Sequence, residues 1–549
     1  MPEKPNFLIL FPDQQRHDTI HAAGFRHMKT PNLDRLVREG CLFSNAYSPN
    51  PVCVPARHYL MTGTTGRDHG YFHNVSSPIT DEGIPTLPQM LSDHGYTTAA
   101  VGKMHFLPPR RHHGFDEMHL MEELPHFRAE DAYAEYLAAQ GLEDIQNLHG
   151  VRPYVYHHPQ CALVPWEHHG ENWVGKRAVE FLKQNGKRPF FLMCGWVKPH
   201  PPWNIPAEWQ GHYDDVELPE PIPRSRAKPF HAAPSDWFGD HDSPELRRQI
   251  RAAYYTSVSM VDRSVGDVLA YLDHAGLMDN TVIIFASDHG EMLQDKGFYQ
   301  KALPYESAAR IPFVVRYPKR FAPGTRDTRF VDLLDILPTA LDLAGIDYNY
   351  KKAHSRYRLA GDSVLTPQSE RRDRAYQRSE CGTRAGRWVC LRDNRYKYVY
   401  SYNGGLEQFY DLQSDPSELH NLAGTDRLPQ EDFRRIKAKC VEMEELWGPE
   451  GCVVNGACIA FPYNAHPEHY QEGSKFPFWA NHQFQVFQDK PTQDKARRYV
   501  DEIHQATADC GPAFLPNLHP DPTWAENWLE QFRKFGGDDT LAQRVLGKP

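Results

Sequence analysis

The feature that most constrains this chain is a repeated unit: a short apolar run that gives way at once to a cluster of polar residues. Residues 6–11 read "NFLILF" and lead into "PDQQR"; 97–102 read "TTAAVG" and lead into "KMH"; 189–197 read "PFFLMCGWV" and lead into "KPH"; 281–287 read "TVIIFAS" and lead into "DHGE". Runs of this length read as buried strands, and between them lie helical patterns at 30–40, 246–276 and 331–345. Strands alternating with helices predict an α/β fold, a large mostly parallel sheet flanked by helices. In open sheets of that kind, sites form beyond the carboxyl ends of the strands, so the polar clusters are expected to meet in one pocket. Within the helices, Thr30 is expected to cap, Pro31 to open the first turn and Gly40 to stop the helix, while Pro338 is expected to bend or interrupt 331–345.

The pattern changes after about residue 370. "RWVCLRD", "YKYVYSY" and "EQFYDL" read as short strands of a small antiparallel sheet, and 429–447 as a helix. The tail is rich in Pro, Gly, His and aromatic residues, with helical stretches near 492–507 and 523–535. Three segments follow: 1–370, a catalytic α/β domain; 371–447, a smaller sheet-and-helix subdomain; and 448–549, an extension that wraps the body or a neighbouring copy, giving a homo-oligomer.

Charge excludes some functions. A net charge of −10 argues against general binding to nucleic acid or to an anionic membrane, and leaves room for a small buried cationic pocket. The N-terminal apolar run, Phe7 to Phe11, is too short for an export signal, and no run approaches a membrane span, so a cytoplasmic location is expected. Ten cysteines contain no CxxC pair, which argues against a zinc or redox motif; Cys452 and Cys458 are the pair placed to bridge.

One cysteine stands apart. Residues 50–63 read "NPVCVPARHYLMTG", with Cys53 just before a helix and Pro55 and Arg57 closely following. A thiol there is a nucleophile, a metal ligand or core packing. "CVPAR" resembles the C-x-P-x-R signature of the type I, formylglycine-dependent sulfatases of the alkaline phosphatase superfamily. "LILFPDQ", "VGKMHF", "SDHGEMLQDKGFYQKALPYESAARIP" and "YKYVYSYNGGLEQFYDLQSDPSELHNLA" resemble further blocks of that family, in the same order and together spanning about residues 5–425.

The resemblance implies a sulfuric ester hydrolase whose Cys53 is oxidised to formylglycine by a maturation enzyme. It implies one divalent metal held by Asp13, residue 53, Asp288 and His289, with calcium suited to the carboxylates and manganese or zinc to the imidazole. Gln14 follows Asp13 where many relatives have a second aspartate, and is a candidate ligand or substrate contact. Arg57 would stabilise the modified side chain. Lys103 and His105, two apart after a strand, are expected to point the same way, His105 deprotonating the second hydroxyl for sulfate release and Lys103 supporting it. His200 and Lys301 would contact the sulfate and the leaving oxygen, either one protonating it. The substrate is expected to be a small-molecule or saccharide sulfate ester. Two alternatives stand beside this: a phosphonate monoester or phosphodiester hydrolase using the same site, and a non-catalytic binding protein on the same scaffold.

Overall fold

The computed structural model describes residues 4–464, apart from 75–82, 107–109, 124, 126–130, 144, 146–147, 151–155, 158, 225–243 and 372–373. The two helical stretches expected in the tail, and most of the extension itself, lie outside the described residues.

The first apolar run becomes β1 (Asn6–Asp13), all eight residues of which are buried. In chain order there follow β2 (Cys41–Tyr47), β3 (Thr97–Gly102), β4 (Glu117–Leu120), β5 (Pro159–Cys161), β6 (Phe190–Pro199), β7 (Trp203–Ile205), β8 (Thr281–Ala286), β9 (Phe313–Arg316) and β10 (Thr325–Asp332). β5 and β7 form a short parallel pair of their own. The others build one eight-stranded sheet of order β10-β2-β9-β8-β1-β6-β3-β4, parallel throughout except for β9.

Strand periodicity sorts β1 between two cores. Phe7, Ile9 and Phe11 pack on one face with helices Cys53–Thr62, Leu87–Asp93 and Ile336–Ala344. Leu8 and Leu10 pack on the other with helices Pro31–Glu39, Gly170–Asn185 and Pro244–His274.

Two local expectations need correction. Thr30 does not cap Pro31–Glu39; its hydroxyl accepts from His21 and donates to Asp34. The cap comes from Asp262 of the long helix, whose carboxylate accepts from the main-chain N–H groups of Asn32 and Leu33 at 3.0 and 2.7 Å. Pro338 does not interrupt its helix. Residues 331–332 end β10, Leu333–Asp335 form a 3₁₀ turn, and Pro338 falls in the first turn of Ile336–Ala344, where a missing N–H costs nothing.

The second sheet is antiparallel: β11 (Gln377–Cys381), β12 (Trp388–Arg392), β13 (Tyr396–Ser401) and β14 (Leu406–Asp411). Helix Gln430–Trp447 covers it with Ile436, Cys440 and Met443. β15 (Val453–Val454) and β16 (Ala457–Cys458) pair beyond it, and Cys452 and Cys458 are both free thiols, not a bridge. This sheet braces the main body where it matters. Glu380 N–H donates to the Pro49 carbonyl at 2.9 Å, Ala302 N–H to the Pro51 carbonyl at 3.0 Å, and the Trp388 indole to the Ala302 carbonyl at 2.8 Å. Among the described residues no helix is long and apolar enough to cross a membrane.

Candidate active site

The polar clusters converge as the strand ends require. Asp13 is the last residue of β1, Lys103 follows β3, His200 follows β6, and Asp288 and His289 follow β8. Cys53 opens helix Cys53–Thr62, all ten residues of which are buried. Pro55 sits in its first turn, where no N–H is missed, and Arg57, four residues on, shares the face of Cys53. β3 and β6 approach so closely here that a Cβ on Gly102 would lie 1.9 Å from the Gly195 carbonyl oxygen. That contact lets Lys103 N–H donate to Gly195 at 2.8 Å and fixes where its side chain begins.

Asp13, Cys53, Asp288 and His289 are buried, and their ligand atoms all lie within 4.8 Å of one another. Cys53 Sγ is 3.2 Å from His289 Nε2 and accepts from Lys301 Nζ at 3.0 Å. Arg57 is wholly buried and spans the two carboxylates, 2.9 Å from Asp13 Oδ2 and 3.1 Å from Asp288 Oδ2, with Nη1 donating to the Lys103 carbonyl at 2.8 Å. Lys103 Nζ lies 2.8 Å from Asp13 Oδ2. Lys301 Nζ also donates to Gln14 Oε1 at 2.7 Å.

Burial penalises every charge here, and neighbours decide the outcome. Burial opposes the charge on Asp13, yet Lys103, His200, Lys301 and Arg57 hold its carboxyl well below the usual range. Burial and the Asp13 charge push Asp288 up. Burial and Asp13 oppose a thiolate at Cys53, but Lys301, Lys103 and His289 bring it far below a free thiol. Burial lowers His200 well below an ordinary histidine, despite the pull of Glu123. The donor set fits a divalent cation: two carboxylates, one imidazole and side chain 53, with a positive charge among them relieving the repulsion that raises Asp288.

His105 departs from the expected geometry. It takes a left-handed φ of 51°, so residues 103–105 do not continue the strand and the two side chains do not share a direction by alternation. Its N–H donates to Glu122 at 2.9 Å, and among the described residues its buried Nδ1 has no hydrogen-bond partner and no hydrogen bond joins it to the cluster.

Two carboxylates were not anticipated. Glu123 contacts Lys103 Nζ and lies 3.4 Å from His200 Nε2; it comes from a segment with no strand-end signal. Glu291 accepts from the Gln14 amide and from the N–H of Gln300, linking Gln14 to the turn that carries Lys301. It stands in the "SDHGE" cluster itself, and its place there was the available signal. Two further histidines lie apart from each other: His113 packs on Phe106 behind the helix of Cys53, whereas His157 Nε2 accepts from the Gln300 amide at 2.8 Å, next to Lys301.

Comparison with known proteins gives the family and the fold. The sulfatase family model matches residues 5–346, and a model for the C-terminal region of N-sulphoglucosamine sulphohydrolase matches 294–445. An arylsulfatase of Clostridium perfringens is 30% identical over 481 residues, covering 80% of this chain and 95% of its own. Among solved structures, a phosphonate monoester hydrolase from Silicibacter pomeroyi superposes with a TM-score of 0.68 at 21% identity, covering 84% of this chain and 99% of its own. A protein solved with its substrate D-glucosamine-2-N,6-O-disulfate superposes with a TM-score of 0.63 at 20% identity, covering 81% and 98%.

Proposed function

The chain belongs to the sulfatase family and is a sulfuric ester hydrolase, and from that premise we propose that it cleaves sulfate monoesters through a formylglycine made from Cys53, beside one divalent cation held by Asp13, residue 53, Asp288 and His289. The observation that carries the proposal is the position of Cys53 Sγ: buried, inside the ligand cluster, and 3.0 Å from Lys301 Nζ. That sulfur marks where an oxygen of the hydrated aldehyde would sit.

The hydrated aldehyde has two hydroxyls on one carbon, one to take the sulfuryl group and one to expel sulfate afterwards. A divalent cation bound at the four ligands would supply Lewis-acid polarisation of the ester oxygens. The chain's own residues do the rest. Arg57 aims Asp13 and Asp288, helps hold Asp13 below the usual carboxyl range and opposes the rise at Asp288. Lys103 and Lys301 present fixed positive charge to the sulfate and to the developing negative charge on the leaving oxygen. The base for the second hydroxyl is His105 on the family resemblance alone.

Lys301 rather than His200 is the proton donor to the leaving oxygen in this reading. The His200 Nδ1 lies 2.6 Å from the Pro201 carbonyl, which can only accept, so the neutral ring carries its proton there and presents a bare Nε2. Against the cost of burial, Lys301 is held in its protonated form by the unmodified Cys53 thiolate, and by the Asp13 and Glu123 carboxylates, which remain once residue 53 is an aldehyde.

A sulfated saccharide is the substrate class best supported, by the likeness to the disulfated-glucosamine complex and to the N-sulphoglucosamine sulphohydrolase C-terminal model. The likeness to a phosphonate monoester hydrolase supports the second reading. An activity panel on matured protein tests both: aryl sulfate, sugar sulfates, choline sulfate and a phosphonate monoester. The highest kcat/KM should fall on a sulfate. A phosphonate well ahead of every sulfate would promote the second reading, and no turnover of any member would overturn both.

A further inference from the structure

Glu123 places a carboxylate among the side chains that, on the reading above, face the ester. It contacts Lys103 Nζ, its Oε1 lies 3.4 Å from His200 Nε2, and its side chain is 9% exposed. Neither contact accounts for a further acid there. Lys103 already has Asp13 Oδ2 at 2.8 Å. His200 keeps its one ring proton on the Pro201 carbonyl, so its Nε2 has none to give Glu123. What the position of Glu123 does alter is the field of the pocket. Burial disfavours charge on Lys103, Lys301 and His200, and Glu123 favours it on all three.

A fixed negative charge beside an anion site does not act on all ligands alike. Its repulsion scales with the ligand's charge, so a doubly charged ester loses about twice what a singly charged one loses. Sulfate monoesters and phosphonate monoesters are singly charged. Phosphate monoesters approach a double charge once their second proton is gone, above about pH 6. All three share a tetrahedral centre, so shape sorts them poorly and charge sorts them well. A repulsive group of this kind gives specificity without adding any contact to the favoured ligand, and a buried one is screened little by salt.

We propose that Glu123 sets the charge preference of this site, admitting singly charged esters and disfavouring doubly charged phosphate monoesters. The inference rests on the proposed site, since it needs Lys103, His200 and Lys301 to face the ester. Glu123 acts by repulsion across the pocket and not by contact with the reacting atoms, which makes it a specificity-determining residue rather than a catalytic one.

Titration calorimetry tests it on full-length, metal-loaded protein prepared without the maturation enzyme, to which esters bind without turning over. The probes share a phenyl ring: phenyl sulfate and phenyl methylphosphonate, both singly charged, and phenyl phosphate, doubly charged at pH 8. Glu123→Gln keeps the size of the side chain, and its amide can accept from Lys103 and donate to His200. In that variant phenyl phosphate should gain about tenfold to a hundredfold in affinity relative to both singly charged probes. Glu123→Asp keeps the charge and should keep the wild-type ratios. An equal change for all three probes in Glu123→Gln would show a packing role and overturn the proposal. A gain shared by phenyl phosphate and phenyl methylphosphonate would also overturn it, since the element and not the charge would then be read. Wild type gives a check that needs no variant: measured against phenyl sulfate, phenyl phosphate should bind better at pH 5 than at pH 8, and the reverse would overturn the proposal. Absence of turnover in matured protein would sink the enzyme reading and still leave these ratios to decide the role of Glu123.

Discussion

Replacing Arg57 by alanine is the perturbation whose cost the geometry defines best. The guanidinium is wholly buried and is shared between Asp13 at 2.9 Å and Asp288 at 3.1 and 3.2 Å. Removing one partner from a buried ion pair costs about 3–5 kcal/mol, because a buried charge is left uncompensated. Lys103 remains on Asp13 at 2.8 Å, so the loss falls mainly on Asp288. Its carboxyl is already pushed up by burial and by Asp13, so it takes a proton rather than stand charged and alone, which keeps the loss near the lower end, about 3 kcal/mol. With an unfolding entropy of about 2.1 cal/mol/K per residue over a cooperative unit of roughly 400 residues, that is a fall in Tm of about 4 °C in metal-free protein. Adding a metal that binds between the carboxylates supplies the missing positive charge, so the deficit should shrink at saturating calcium or manganese. Arg57→Lys should recover only part, since one ammonium cannot span two carboxylates as the planar fork does. Calorimetry of the three proteins, with chelator and with excess metal, reads this directly. Equal Tm values without metal, or a deficit that metal leaves unchanged, would refute the reasoning.

Other consequences are equally open to measurement. Asp288→Asn and His289→Ala should each lose most of the bound divalent metal, as elemental analysis of dialysed protein would show; full metal content in both would remove the ligand assignment. Lys301→Ala should lower kcat about 10²–10³-fold, most on sugar sulfates and least on activated aryl sulfates, and equal losses across leaving groups would exclude it as the proton donor. Asp131 caps helix Ala132–Ala139, and burial raises its carboxyl to about 7 despite the N–H groups it accepts from. Its folded value lies above its unfolded one, so its contribution to stability is present below about pH 4 and is lost as pH rises through about 7. Asp131→Asn keeps the cap without titrating, and its Tm should therefore gain on wild type between pH 5 and pH 8; a constant gap would show that Asp131 is not raised.

The sequence carried the parts of the fold that periodicity encodes. β1, β3, β6 and β8 stand out because strands covered on both faces need unbroken apolar runs, and their polar ends mark the pocket. The strands that were not foreseen fail that test for physical reasons. β10 begins exposed at the sheet edge, and β11 reads "QRSEC", polar residues made burial-tolerant by distant partners such as Tyr59, whose hydroxyl donates to Glu380 at 2.6 Å. Site residues on strand ends were legible for the same reason that the strands were. Glu123 was not, although it too follows a strand end, because β4 reads "EMHL", lies half-buried at the sheet edge and carries no apolar run to announce it. His105 shows the converse: a two-residue spacing predicts a shared direction only while the backbone stays extended, and a φ of 51° ends that.

The central claim is that residue 53 does its chemistry as an aldehyde and not as a thiol. Mass spectrometry of the peptide containing Cys53, on preparations expressed with increasing amounts of a formylglycine-generating enzyme, can be set against kcat for an aryl sulfate measured on the same preparations. Turnover should rise in proportion to the fraction of peptide in which the CH₂SH side chain has become CHO, and should vanish in Cys53→Ala while the protein stays folded. Full turnover in a preparation whose Cys53 is wholly unmodified would contradict the claim.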